Sequence, residues 1–168
     1  MFIVKNVLTA KDRQYLKTLI DKEIKQNLCI HETAPLYQSY NNMDKKFKND
    51  KVLSKLSKVV TQQAAKFYST KYTILTEWFN VCKEDSTFDF HQHHEGTLSA
   101  IFYLKNCEGN GTIFNINNDV LLQCLNEDNS IFFFNPLMPH KIPNWNGKDR
   151  YSIAFDLVEK SKKVDKQT

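Results

Sequence analysis

The chain is poor in the residues that build nucleotide sites, disulfide scaffolds and membrane spans. Among 168 residues only four are glycine, and neither G-x-G-x-x-G nor G-x-x-x-x-G-K-[ST] occurs. A Rossmann unit or a P-loop needs bare backbone close to phosphate, so both are set aside. The four cysteines (Cys29, Cys82, Cys107, Cys124) lie far apart with no C-x-x-C pair. That usage predicts reduced, mostly buried thiols rather than a disulfide framework. No apolar run approaches the roughly 20 residues needed to cross a bilayer. The start, "MFIVKNVLTAKDR", is too briefly apolar for a signal peptide, so a cytoplasmic protein with no membrane partner is the expectation. A one-signed charge block is missing too. The net charge is +4, and the lysine groups around 45–48, 51–58 and 160–166 are mild. They read as solvated helix faces and a frayed tail, and no nucleic-acid partner is expected.

What is present is phenylalanine, twelve of them, and two textures along the chain. In "LTAKDRQYLKTLIDKEI", Thr9 is a candidate N-cap with Asp12 three residues on. Tyr15, Leu16, Leu19, Ile20 and Ile24 then recur at helical spacing. Residues 31–50 are polar and irregular. A second helix is expected from about Asp50 to Tyr68, with Leu53, Leu56, Val60, Ala64, Phe67 and Tyr68 as its stripe. Both stripes read as facing the core.

After Thr70 short β-branched and aromatic runs follow one another: "YTILTEWFNVC", "TFDFHQH", "TLSAIFYLK", "GTIFNI", "VLLQCL", "SIFFFNP", "HKIPNW" and "RYSIAFDLV". Turn residues separate them. The fold class expected is mainly β with α support: a β-sandwich or barrel with the N-terminal helices packed on one sheet. A single domain is expected, with helical support over about 1–70, a β core over about 71–158 and a flexible tail over 159–168.

Three of the five histidines fall in "FHQHHE", residues 90–95. Side chains alternate along a strand, so His91 and His93 share a side and can reach one metal ion. Glu95 shares that side if the strand continues. A further ligand is available in His140, 47 residues after His93 and delivered by the turn at Pro136 and Pro139. In a barrel this separation suffices to return on the opposite strand, giving three ligands on one face with positions left open. Ten residues on, "RYSIAF" puts Arg150 and Ser152 on one face of an apolar strand. A buried arginine there needs a counter-charge, and a carboxylate ligand would supply it in fork geometry. Five phenylalanines, Phe90, Phe102, Phe114, Phe132 and Phe134, could wall such a pocket.

With these residues in place, the chain resembles the non-haem iron(II)- and 2-oxoglutarate-dependent oxygenases, and is most similar to short members related to prolyl hydroxylases. The resemblance runs from about Glu77 to Leu157 through "EWFNV", "FHQH", "LSAIFYLKN", "GNGTIF", "FFFNPLMPHKIP" and "DRYSIAF". It implies a double-stranded β-helix, the jelly-roll or cupin-like core. It also implies Fe(II) as metal and 2-oxoglutarate and O2 as cosubstrates. By this likeness His91 and His140 match the family's two histidine ligands. Arg150 and Ser152 match the pair holding the distal carboxylate of 2-oxoglutarate, and Tyr103 falls where a tyrosine bonds that carboxylate. The departure is His93, which stands where the family has Asp or Glu. Ligation by His93, ligation by Glu95, or a missing second protein ligand all stay open. The implied activity is hydroxylation of a peptidyl or small amino-acid substrate with release of succinate and CO2. The alternatives are a cupin-like three-histidine dioxygenase without 2-oxoglutarate and a non-catalytic metal-binding jelly roll.

Overall fold

Alternating apolar runs of this length pair into two antiparallel sheets. The computed structural model describes residues 1–27, 29–30, 36–39, 47, 49–107, 111–117, 120–123, 127–145 and 147–160. The element order is β1 (Phe2–Lys5), α1 (Ala10–Asn27), β2 (Cys29–Ile30), β3 (Leu36–Gln38), α2 (Lys51–Tyr68), β4 (Tyr72–Cys82), β5 (Ser86–His91), β6 (Leu98–Lys105), β7 (Ile113–Asn117), β8 (Val120–Gln123), β9 (Ser130–Phe134), β10 (His140–Trp145) and β11 (Arg150–Glu159). The major sheet has seven strands in the order β1-β9-β6-β11-β4-β3-β2, and the minor sheet four in the order β5-β10-β7-β8.

Each face of the major sheet has its own core. On the outer face Leu98, Ala100, Phe102, Ile131, Phe133, Ile153 and Phe155 meet Leu16 and Ile20 of α1 and Leu53, Leu56, Val60 and Ala64 of α2. On the inner face Ile101, Tyr103, Phe132 and Phe134 pack against Phe114 of the minor sheet. The ring centroid of Phe114 lies 5.2 Å from Phe132 and 5.0 Å from Phe134. The expected jelly-roll core with helices on one sheet is the observed fold.

Both helices start where a cap is available. Thr9 Oγ1 accepts from the Asp12 amide, and Asp50 Oδ1 accepts from the amides of Val52 and Leu53. These bonds satisfy donors that the first turn leaves orphaned.

Several expectations are corrected. Tyr15, Phe67 and Tyr68 are exposed rather than core-facing. Tyr15 bonds Asp50 instead, and Phe67 stacks on Phe2 at the rim. The N-terminal "FIVK" forms β1 on β9, and part of the irregular 31–50 stretch forms β3 on β4. Most of that stretch and residues 161–168 lie outside the described residues. β11 runs through Glu159, one residue into the expected tail. Of the proposed pocket phenylalanines, Phe90 is exposed and Phe102 faces the helices. In a strand buried on both faces, alternation alone does not say which face is which. Cys82 and Cys107 are buried and unbridged.

Truncating a fully buried leucine costs about 2–5 kcal/mol, through lost transfer free energy and the cavity left behind. Leu56→Ala is therefore expected to lower the urea midpoint strongly. Phe67→Ala, at an exposed position, should lower it much less, and equal losses would contradict the assignment of the two faces.

Candidate metal centre

The three histidines are carried by two neighbouring strands and one loop. β5 ends at His91, and β10 begins at His140; the two are direct partners in the antiparallel ladder. His140 therefore returns on the adjacent strand, not the opposite one, because β10 inserts between β5 and β7. His93 lies two residues beyond the end of β5. Its amide donates to Pro136 O at 2.9 Å, and the Gln92 side chain donates to Leu137 O at 2.7 Å. The loop holding His93 is thus tied to the turn that delivers His140. Candidate ligand atoms of His91, His93 and His140 all lie within 4.8 Å of one another. Glu95 is exposed and outside this cluster.

Each imidazole is oriented by a bond at its inner nitrogen. His91 Nδ1 donates to Asp89 O at 3.0 Å, and His140 Nδ1 donates to Met138 O at 3.0 Å. His93 Nδ1 meets Asp156 Oδ1 at 2.8 Å. These partners take up all three Nδ1 positions and leave every Nε2 lone pair for the shared centre, the tautomer a metal requires. Phe88, Trp78 and Phe134 brace the rings, with centroids 4.5 Å from His91, 5.3 Å from His93 and 4.9 Å from His140 respectively. Burial, with His91 adding to it, pulls His140 down to about 3; His91 is lowered too, chiefly by burial. Both are neutral near pH 7, as ligands must be. Three converging imidazoles suit iron, zinc, copper or nickel.

The histidines line one pocket together with Arg150, Ser152, Thr112, Asn80, Trp78 and Ala154. Arg150 is 1% exposed. Its contacts are weak: Nη2 to Thr112 Oγ1 at 3.5 Å and Nη1 to Cys82 Sγ at 4.0 Å. Its Nε is buried with no partner. No acidic group among the described residues is within ion-pair distance of it. The nearby thiols do not stand in for one, since burial raises Cys82 and pushes Cys107 up to about 12. A guanidinium buried without an anion costs several kcal/mol, so an anionic ligand would fit this end of the pocket. The residues present fit a metal at one end and a carboxylate at the other.

Tyr103 is fully buried beneath this arrangement, its ring 5.6 Å from the guanidinium carbon. Its hydroxyl lies 3.1 Å from Thr112 Oγ1, and it is Thr112 that lines the cavity. Thr112 and Asp156 were not anticipated from sequence. Asp156 had a visible signal, since it is the one acid inside the apolar run "SIAFDLV" and shares a strand face with Arg150 and Ser152.

No protein-family model and no curated sequence matches the chain. Solved structures do. A prolyl-4-hydroxylase from Pseudomonas putida superposes with a TM-score of 0.69 at 14% identity, covering 92% of this chain and 91% of the other. HygX from Streptomyces hygroscopicus, solved with nickel, 2-oxoglutarate and hygromycin B, gives 0.69 at 11% identity, covering 93% and 81%. The non-haem α-ketoglutarate-dependent epimerase SnoN of nogalamycin biosynthesis gives 0.74 at 11%, covering 92% and 76%. The chain has the fold of the 2-oxoglutarate- and iron(II)-dependent oxygenases.

In the unfolded chain His140 takes up a proton near pH 6.5, whereas the folded chain resists protonation until about 3. The stability this residue contributes to the metal-free protein is full above about pH 6.5 and falls away as pH drops toward 3. Urea denaturation of the metal-free protein across this range should show a shallower decline for His140→Gln than for wild type. Parallel curves would contradict a buried neutral imidazole.

Proposed function

We propose that the protein is an iron(II)- and 2-oxoglutarate-dependent oxygenase that hydroxylates a peptidyl residue or a small amino-acid substrate. The observation carrying this reading is Arg150: a buried guanidinium without an acidic partner, in the same cavity as three convergent imidazoles. Bound iron supplies the oxidative decarboxylation of 2-oxoglutarate by O2, to succinate and CO2, coupled to hydroxylation of a substrate C–H bond. The protein's share is placement. His91, His93 and His140 hold the metal and leave positions open. Arg150 takes the distal carboxylate of 2-oxoglutarate, with Ser152 and Thr112 as hydroxyl neighbours. Trp78, Phe88 and Phe134 keep water away from the metal face. The prolyl hydroxylases among the structural neighbours favour a peptide-like substrate, whereas the epimerase shows that this fold serves other chemistry.

Three histidines also suit a cupin-like dioxygenase that uses no 2-oxoglutarate. That second reading leaves Arg150 without a purpose, which is why it ranks below the first.

Truncating one partner of a buried charge pair costs about 2–5 kcal/mol. Arg150→Met is therefore expected to weaken 2-oxoglutarate binding by about 30-fold or more in anaerobic calorimetry, while metal binding is retained. Fe(II)-dependent release of succinate should fall with it. Unchanged 2-oxoglutarate affinity would favour the three-histidine dioxygenase.

A further inference from the structure

The sequence places a histidine where the carboxylate ligand of this fold's oxygenases is expected, which removes one negative charge from the metal. The structure has a carboxylate directly behind that histidine. Asp156 is 6% exposed, and its Oδ1 accepts from His93 Nδ1 at 2.8 Å and from Ser99 Oγ at 2.6 Å. Ser99 and Thr76 flank it as ladder partners on β6 and β4, and Thr76 Oγ1 approaches Oδ2 at 3.5 Å. No lysine or arginine among the described residues pairs with it. Its one basic neighbour in contact there is the imidazole.

The backbone is shaped to keep this pair together. The ladder between β11 and β4 shifts register between Asp156 and Leu157. The loop leaving His93 closes on that point, where the Thr97 amide donates to Leu157 O at 2.7 Å. Gly96 eases the approach, since a side chain there would push its neighbours back by a few tenths of an ångström. A Cβ there would lie 3.1 Å from Leu157 O and 3.3 Å from Asp156 Cβ.

We propose that Asp156 is a positioning residue for the metal. It fixes His93 in the Nδ1–H tautomer and returns, one bond further out, the negative charge that a carboxylate ligand would have provided. The inference rests on the metal-centre reading above. A carboxylate behind a metal-bound imidazole raises the basicity of the ligand and holds its ring plane, and loss of such a partner typically costs about 10–100-fold in metal affinity. The three orienting bonds are therefore unequal. His91 and His140 lean on neutral carbonyls two residues back in the chain, and only His93 leans on a charge.

Cobalt(II) titration, read by its visible absorption, tests this in four proteins: wild type, Asp156→Asn, His93→Asp and the double variant. Asp156→Asn keeps the shape and loses the charge, so it is expected to weaken cobalt binding by about 10–100-fold. With His93→Asp a carboxylate reaches the metal directly. There the Asp156 substitution should cost nothing, or even gain by separating two like charges. Equal losses in both backgrounds, or a lower melting temperature with unchanged cobalt affinity, would make Asp156 purely structural and overturn the proposal. A check needing no variant is nitrogen NMR of the zinc-loaded wild type. Protonated Nδ1 and metal-bound Nε2 at His93 are expected, and metal on Nδ1 would overturn the proposal. If the wild type binds no cobalt at all, the metal-centre reading itself fails, and this inference with it.

Discussion

The structure turns on one strand buried on both faces. β11 lies at the centre of the major sheet, between β6 and β4, and every residue from Arg150 to Leu157 is buried. Alternation sends Tyr151, Ile153, Phe155 and Leu157 toward the helices, where they join the larger core. The other set, Arg150, Ser152, Ala154 and Asp156, faces the minor sheet. Three of those four are polar, in the most enclosed position the fold offers. Buried charge of this kind persists only when something answers it. Asp156 is answered by an imidazole, and Arg150 has no acidic partner among the described residues. The apolar face of β11 holds the fold together, and its polar face defines the site.

That division goes with a set of candidate ligands held in place by contacts within the chain. His91 and His140 are ladder partners, His93 is tied by backbone bonds to the turn before β10, and all three rings are fixed at Nδ1. Aromatic rings pack around them, so turning an imidazole would open a void in a close-packed wall. The energy of orienting the ligands is met by folding, through the same contacts that close the two sheets on each other.

Much of this was legible from sequence, for physical reasons. The strand at 72–82 matches its quoted run residue for residue, because eleven residues of β-branched and aromatic character bounded by turns admit little else. The second helix, Lys51–Tyr68, begins one residue after its expected start at Asp50. His91, His93 and His140 were candidates because imidazoles are few and their spacing unusual, and the fold brings them together. What was hidden depends on partners rather than on local pattern. "FIVK" is too short to announce a strand until β9 offers an edge. Phe102 and Phe132 look alike in runs apolar throughout, and only the register with β11 sends them to opposite faces. Thr112 looks like any turn residue until Arg150 and Tyr103 close on it. Asp156 could have been suspected, since it continues the i, i+2 series from Arg150, but its partner His93 is 63 residues away.

The most direct test of the account is whether the two ends of the cavity serve one ligand. Iron(II) is added anaerobically to the metal-free protein, followed by 2-oxoglutarate, while the visible spectrum is recorded. A charge-transfer band is expected on adding 2-oxoglutarate, present in wild type and absent in His91→Ala. Iron binding with no band on addition of 2-oxoglutarate would contradict it, leaving a three-histidine metal site whose buried arginine serves some other anion.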